Sequence, residues 1–267
     1  MDKQKLAVIT GASGGIGAAI ATQLSQAGWR CLLLGRDENK LQLLQRALGE
    51  EHQYLALDLT QPVSGQRVTM HAMTLGGAAL LVNCAGCNEM RSFQNEQLEQ
   101  IQQQINVNLL VPMSLMHHLL PQLSSVKGTV VNVGSAFGYI GYPYQSVYCA
   151  SKFGLRGFSE ALSRELDGQV AVKYLAPRAT DTRINPENVR ALNRALGNKM
   201  DTPEEVAHNF MRLLNSKKRR WVVGFPEKLF ARVNGLLPEL VDSAIIKQLK
   251  IIKSYISCQL NTKESSS

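Results

Sequence analysis

A doubly wound α/β fold, with a parallel sheet of about seven strands and helices on both faces, is what the sequence predicts. Three observations point to it. Short apolar segments rich in β-branched residues recur along the chain, stretches of helical periodicity separate most of them, and a glycine-rich segment joins the first strand to the first helix. The size agrees. At 267 residues, with 45% hydrophobic and 19% charged side chains, the chain can bury the core of one large domain and is not disordered as a whole.

The elements follow in order. Leu6–Thr10 reads as a buried strand, and 11–17 as a glycine-rich turn. Ile16, Ile20 and Leu24 then recur at helical spacing until Gly28 stops the helix. Residues 31–34 form a second strand, 39–48 a helix, 54–57 a third strand and 80–82 a fourth. Residues 129–133, 171–175 and 221–223 supply the fifth, sixth and seventh. The expected division is one α/β domain over 1–223, a helical extension over 224–261, and a short, polar, serine-rich disordered tail over 262–267.

No apolar run approaches the roughly 18–20 residues of a membrane-spanning helix. The first apolar run, straight after Met1-Asp2-Lys3-Gln4-Lys5, is too short for a signal peptide. Five irregularly spaced cysteines suggest no disulfide framework, so a reducing, cytoplasmic location is expected. Net charge is +8, of which +6 lies from Lys217 onward. A basic tail thus follows a nearly neutral body. It suits an anionic lipid, a nucleic acid or an acidic partner, or serves only solubility. No recognised nucleic-acid-reading motif accompanies it, and nucleic acid is not expected as a partner.

The first chemical motif is Thr10-Gly11-Ala12-Ser13-Gly14-Gly15-Ile16-Gly17. Between a strand and a helix, its glycines let the backbone approach a pyrophosphate, and the helix N-terminus offers free N–H groups. Tyr148 and Lys152, four residues apart on a predicted helix, share one face. A phenol normally titrates near about 10, and a neighbouring ammonium lowers that value toward the range of a general acid or base. Ser135, at the end of the fifth strand, can hydrogen-bond an oxygen on which negative charge develops.

The glycine spacing resembles the short-chain dehydrogenase/reductase family, and other segments agree. Asn83-Cys84-Ala85-Gly86 is similar to the family's segment after the fourth strand. Asn108 stands in Ile105-Asn106-Val107-Asn108-Leu109, Ser135 in Val133-Gly134-Ser135, and Tyr148-Cys149-Ala150-Ser151-Lys152 thirteen residues later. The resemblance runs from about Lys5 to Val223. It implies a Rossmann-type fold, a nicotinamide cofactor and hydride transfer between it and a carbonyl/alcohol pair. The implied catalytic residues are Asn108, Ser135, Tyr148 and Lys152. The implied cofactor contacts are Gly11, Ser13, Gly14, Gly15, Ile16, Gly17, Arg36, Asp58 with Leu59, Asn83, Ala85, Gly86, Tyr148, Lys152, Pro177 and Thr182. Lys152 would bind the nicotinamide ribose, Asn108 would hold a water linking Lys152 to solvent, and Asp58 lies where the family holds the adenine ring. NADP(H) is preferred over NAD(H) because the second strand ends at Leu34-Gly35-Arg36, with no carboxylate for a ribose 2′-hydroxyl and an arginine for a 2′-phosphate. A shifted register would instead make Asp37 a ribose ligand.

Two departures stand out: Cys84 replaces the second asparagine, and Arg178 follows Pro177 where the family usually has glycine. Arg178 would narrow the site, turn outward, or contact an acidic substrate group or a cofactor phosphate. It is also the one feature favouring an inactive, nucleotide-binding regulator or scaffold. Cys84 and Cys87 read as a C-x-x-C pair, either a thioredoxin-like redox pair or simply part of the segment beside the cofactor; without a second pair for zinc, no metal is expected. His117 and His118 read as packing or surface residues. Phe137, Tyr139, Tyr142 and Tyr144 suit either an apolar substrate cleft or a dimer interface. Arg183, Arg190 and Arg194, in the variable lid, would attract an anion or simply face solvent. Leu155, Phe158, Leu162 and Leu166 continue the Tyr148 helix as a homodimer or homotetramer interface, or else face the sheet. In the extension, Val241, Ile245, Leu249, Ile252 and Ile256 form a helical stripe beside Lys247, Lys250 and Lys253. That pattern fits packing on the domain or a partner subunit, or peripheral contact with a membrane and a lipid-like substrate.

Overall fold

The computed structural model describes residues 4–182, 184, 185 and 187–264, the last eight as helix backbone. Seven parallel strands form one sheet in the order β3-β2-β1-β4-β5-β6-β7: β1 (Leu6–Thr10), β2 (Arg30–Gly35), β3 (Gln53–Ala56), β4 (Ala78–Asn83), β5 (Thr129–Val133), β6 (Ala171–Ala176) and β7 (Arg220–Val222). Their near-continuous apolar sequences follow from burial on both faces. Against one face lie α1 (Gly15–Gln26) and α8 (Pro203–Leu214), burying Ile20, Leu24, Phe210 and Leu213. The other face buries Val68 of α3 (Ser64–Thr74) and Leu115, Leu119 and Leu123 of α5 (Val111–Ser125). The order reverses between β1 and β4, so the crevice beyond their carboxyl ends is where such a sheet binds ligands.

Local chemistry sets the ends of elements. Asp37 caps α2 (Glu38–Leu48), its carboxylate accepting the Lys40 N–H at 3.1 Å, which fixes where β2 hands over to helix. Thr202 and Glu205 form a reciprocal capping box at the start of α8, with Pro203 in the first turn. Between α4 (Leu98–Ile105) and α5, residues Asn106–Leu110 make a π-helical turn, with Asn108 fully buried inside it. Tyr148 and Lys152 lie on α6 (Ser146–Glu165).

Beyond β7, α9 (Phe225–Leu236) leads into α10 (Pro238–Glu264), which Pro238 opens. The helix continues through 262–264, where the sequence suggests disorder, and 265–267 lie outside the described residues. Val241 and Ile252 are buried; Ile252, with Ile256 packed beside it, joins Val189 and Leu192 of α7 (Glu187–Ala195). That part of the tail's apolar stripe therefore faces its own domain. Leu155 and Leu166 of the α6 series are likewise buried, with Phe158 and Leu162 packed against the core. Leu155 and Leu166 therefore face the core, while Phe158 and Leu162 are half-buried.

Candidate active site

The glycine-rich turn is built for close backbone approach. Gly11 sits at φ +67°, and a Cβ there would come within 2.9 Å of the Ala85 backbone. A Cβ on Gly17 would stand 2.2 Å from the Gly11 carbonyl oxygen. Gly14 caps α1 without any side chain to occupy the first N–H groups, which leaves them and the positive helix end for an anion. Thr10 Oγ1 accepts both the Cys84 and Ala85 N–H groups at 2.9 Å, clamping the turn after β4 against the glycine-rich turn.

A channel of about 770 Å³ runs along this edge. Its walls include Gly11, Ser13–Gly17, Arg36, Asp58, Leu59, Ala85, Gly86 and Thr182 from the sequence-derived set, and Lys40, which that set lacks. Gly35 ends β2 without a carboxylate, and a Cβ there would press on Ser13 Oγ at 2.8 Å, so any larger side chain would have to turn that hydroxyl aside. Asp37 is committed to capping α2 and to an ion pair with Lys40. Asp58 accepts the N–H and hydroxyl of Thr60, which hold its carboxyl below the usual range. The residues fit a dinucleotide: the cradle would be filled by any Cβ at Gly17, and Thr182 Oγ1 is buried without a hydrogen-bond partner. Asn83 stands behind this wall, and Pro177 lines the adjoining cleft. Asn83 Nδ2 donates to Asn132 Oδ1 at 2.8 Å, while the Pro177 carbonyl accepts the Ala136 N–H at 2.8 Å.

Beside the channel lies a second cleft of about 310 Å³. The two share Ile16, Cys84, Gly86, Asn88 and Ile184, and Ser135, Tyr148 and Lys152 line the second cleft where it meets the first. Lys152 Nζ lies 5.7 Å from the Tyr148 ring centre and donates to the Val133 carbonyl at 3.2 Å. Asn108 closes the back of the site. Its Oδ1 accepts the Cys87 N–H at 2.9 Å, and its Nδ2 donates to the Cys87 carbonyl at 2.9 Å and to Ser151 Oγ at 3.1 Å. The π-helical turn makes this possible, since the widened helix swings Asn108 inward. A Cβ on Gly86 would approach Asn108 Oδ1 to 3.2 Å and Lys152 Nζ to 3.7 Å.

Electrostatics differ from the sequence expectation. Burial pushes the Tyr148 phenol up to about 12, and a hydrogen bond with the Ser135 side chain opposes this only in part. The lysine does not bring it down. Burial also lowers the Lys152 ammonium to about 8, with the Cys84 and Cys87 thiols raising it slightly. Cys84 is pushed up to about 12 by burial, so it stays an un-ionised thiol in the wall.

Arg178 lines the second cleft, with its charge engaged in the wall. Its guanidinium pairs with the buried Asp201, with Nε to Oδ1 at 2.8 Å, and lies 3.8 Å from Glu227 on α9. Gly224, at φ +89°, leaves space for that arrangement: a Cβ there would collide with Glu227 Oε2 at 2.1 Å. Phe137 and Tyr142 stack at 4.8 Å and line the cleft, whereas Tyr139 packs on Tyr174 and Arg156. Tyr144 packs into the cluster holding Ile252. The lid arginines are spent locally: Arg190 pairs with Asp181 and Glu187, and Arg194 with Glu187. Arg183 lies outside the described residues. His118 Nδ1 bonds the Ser114 carbonyl at 2.8 Å and packs over Gly65, while His117 is exposed.

Two groups of residues escape sequence reasoning. Tyr174 on β6 is fully buried beneath Gly134 and Gly138; its hydroxyl accepts the Ser135 N–H at 3.3 Å and donates to the Lys152 carbonyl at 3.3 Å. The facing glycines are the available signal, but only once β5 and β6 are known to be neighbours. The other group is the roof of the cleft, formed by Pro226, Glu227 and Phe230 of α9 and by Val241, Ala244, Ile245 and Gln248 of α10. Val241 and Ile245 belong to the helical stripe read from the sequence, but nothing in that pattern places them over the cleft.

Comparison with known proteins gives this geometry its family. The family model described as short chain dehydrogenase matches residues 5–193, and the chain belongs to that family. It is 33% identical over 219 residues to carbonyl reductase family member 4 of Danio rerio, covering 79% of this chain and 92% of that protein. It is 30% identical over 226 residues to a 3-oxoacyl-acyl-carrier-protein reductase of Rickettsia bellii, covering 82% and 92%. A short-chain dehydrogenase/reductase of Burkholderia phymatum in complex with NAD superposes with a TM-score of 0.81 at 22% identity, over 90% of this chain and 96% of that one. An alcohol dehydrogenase of Thermococcus sibiricus complexed with 5-hydroxy-NADP superposes at 0.74, with 24% identity, over 82% and 96%. The chain is an NAD(P)-dependent oxidoreductase.

Proposed function

We propose that the protein transfers a hydride between NADP(H) and a carbonyl/alcohol pair on an apolar or lipid-like substrate, with Tyr148 as the general acid or base. The observation that carries this reading is the meeting of the channel and the apolar cleft at Ser135, Tyr148 and Lys152. The bound nicotinamide supplies or accepts the hydride. Tyr148 gives its proton to the carbonyl oxygen in reduction, and burial favours the protonated phenol this requires. Ser135 hydrogen-bonds the same oxygen as charge develops on it. Lys152, held by the Val133 carbonyl, would hold the nicotinamide ribose, and its ammonium lies beside the phenol. Asn108 positions the Cys87 turn and α6 through Ser151. Arg36 and Lys40 at the adenosine end suit a 2′-phosphate.

The names of the relatives, a carbonyl reductase and 3-oxoacyl reductases, support a carbonyl substrate. Met90, Ile140, Val189 and Leu192, with the Phe137–Tyr142 stack, give the cleft its apolar lining. The reading also places the protein in the cytoplasm as a homodimer or homotetramer, with a catalytic domain over 1–223 and an extension from 224. An inactive regulator is not favoured, because Arg178, the feature suggesting it, is turned to Asp201 and Glu227.

The test is NADPH consumption with ketones, aldehydes, sterols and 3-oxoacyl thioesters. Tyr148→Phe should lose at least about 10²-fold in rate on any substrate found, as expected for a positioned acid–base group. Near-wild-type turnover by that variant would refute the mechanism.

A further inference from the structure

The cleft beside Tyr148 has apolar walls into which several polar side chains are set. Some of these are used within the protein. Asn193 Nδ2 donates to the Val189 carbonyl at 2.8 Å, Asn198 Nδ2 donates to Asn193 Oδ1 at 3.2 Å, and Glu227 pairs with Arg178. Two carboxamides differ. Asn88 and Gln145 are only 9% and 3% exposed, yet neither Asn88 Oδ1 nor Gln145 Oε1 has a hydrogen-bond partner among the described residues. Buried polar atoms are nearly always paired, so two unpaired acceptors on one cleft wall point to a ligand that pairs with them.

The hydrogen bonds around Asn88 fix which way its amide faces. Asn185 Nδ2 donates to the Thr180 carbonyl at 2.8 Å, so Asn185 keeps Oδ1 for its other neighbour. Asn88 Nδ2 donates to that oxygen at 3.4 Å. A backbone carbonyl only accepts, so the chain of donors cannot be reversed, and Asn88 presents Oδ1 as its free end. The site therefore asks for a donor.

Both amides lie at the reacting end of the cleft. Asn88 lines the channel as well as the cleft and so stands where the two meet. Gln145 is the N-cap residue of α6, three positions before Tyr148, and lines the cleft with it.

We propose that Asn88 and Gln145 form an acceptor subsite beside the reacting carbon. The substrate is then an otherwise apolar ketone or secondary alcohol that carries a second, neutral donor, a hydroxyl or an amide N–H, close to that carbon. The donor is neutral because a cation would leave water for apolar walls, and the lining carboxylate, Glu227, is already paired with Arg178. The choice of reacting carbon rests on the proposed hydride transfer; the subsite itself is a matter of binding. An analogue without the donor leaves both oxygens unpaired, which is how such a site discriminates.

The experiment titrates the full chain, loaded with NADP⁺, by calorimetry. NADP⁺ cannot reduce a ketone, so binding is read apart from carbonyl turnover. The probes are a long-chain ketone, its analogues with a terminal hydroxyl α or β to the carbonyl, and the matching β-keto secondary amide. Each donor is run beside its O-methylated or N-methylated form. A hydroxyketone or the amide should bind about tenfold or more tightly than both the plain ketone and its own methylated form. The two arms tell which donor fits. In Asn88→Leu with Gln145→Met, of similar side-chain volume, that ratio should fall to near one. The ratio is taken within one protein, so a general loss of affinity cancels; the melting temperature reports folding, and Gln145→Met alone should also lower the ratio. Equal binding of donor and methylated probes by the wild type would overturn the proposal. So would a preference that survives the double variant, or no binding by any probe. A donor preference in binding without NADPH-dependent turnover would keep the subsite and refute the hydride-transfer reading, whereas turnover of plain ketones with no donor preference would refute the subsite alone.

Discussion

At the level of single residues, burial decides the chemistry more than pairwise charge does. Tyr148 is buried with only partial relief from Ser135, so its phenol is pushed up to about 12 and remains a proton donor at neutral pH. Lys152, lowered to about 8, is the group that titrates first. Its cation is present below about 8 and is lost as pH rises through that value. Carbonyl reduction should therefore fall above about pH 8 along one descending limb. Lys152→Arg, charged to above about pH 12, should abolish the limb while lowering the absolute rate. A pH–rate profile of both proteins checks this; an unmoved limb would assign it to another group. The adenosine end makes a second prediction. Gly35 offers no carboxylate, and Asp37 is held in the α2 cap, leaving Arg36 and Lys40 toward the channel. Arg36→Ala should weaken NADPH binding by about tenfold or more through loss of a charge-assisted contact, with little change for NADH. Equal losses, measured by titration, would count against a phosphate contact.

Among the elements, the C-terminal extension changes meaning between sequence and structure. The strands and the glycine-rich turn were legible because local pattern dictates them: apolar β-branched runs, Gly28 stopping α1, Pro238 opening α10. The π-helical turn around Asn108 was not legible, since nothing in Ile105–Leu109 distinguishes it from ordinary helix, and tertiary packing against Cys87 and Ser151 selects it. Tyr174 was hidden for a related reason, being functional only through its neighbours across the β5–β6 pairing. Arg178 was visible as an anomaly, but its partners Asp201 and Glu227 are distant in sequence. It ties the loop after β6 to the end of the lid and to α9, so it is a positioning residue. Arg178→Gly would leave Asp201 buried without its cation, which costs on the order of 3–5 kcal/mol when one partner of a buried pair is removed. The expected outcome is a lower melting temperature and faster hydrogen exchange in α7 and α9, with substrate KM raised more than kcat is lowered. Unchanged exchange in both helices would show that the latch does not hold them.

The whole molecule places its chemistry along one edge of the sheet. The sheet carboxyl ends carry the glycine-rich turn, the Asn83–Gly86 turn and Ser135, and the α9–α10 extension roofs the cleft beside them. Of the α6 residues expected either at a subunit interface or against the sheet, Leu155 and Leu166 are buried in the fold, and Phe158 and Leu162 are half-buried. Another surface also offers apolar contact. Phe93 before α4, Leu98 at its start and Leu110 at the end of the π-helical turn that follows it are exposed large hydrophobics. A closed two-fold dimer pairs one patch with its own copy and so covers such residues on both chains at once. The homodimer or homotetramer expected of this chain should therefore form through the α4 face, and Leu98→Glu with Leu110→Glu should split it by placing like charges opposite one another. Sedimentation velocity at micromolar concentration reads both outcomes. A dimer or larger species that becomes monomeric in the double variant, with NADPH binding retained, is the expected result. A wild-type monomer would refute the assembly, and an oligomer indifferent to both substitutions would move the interface away from α4.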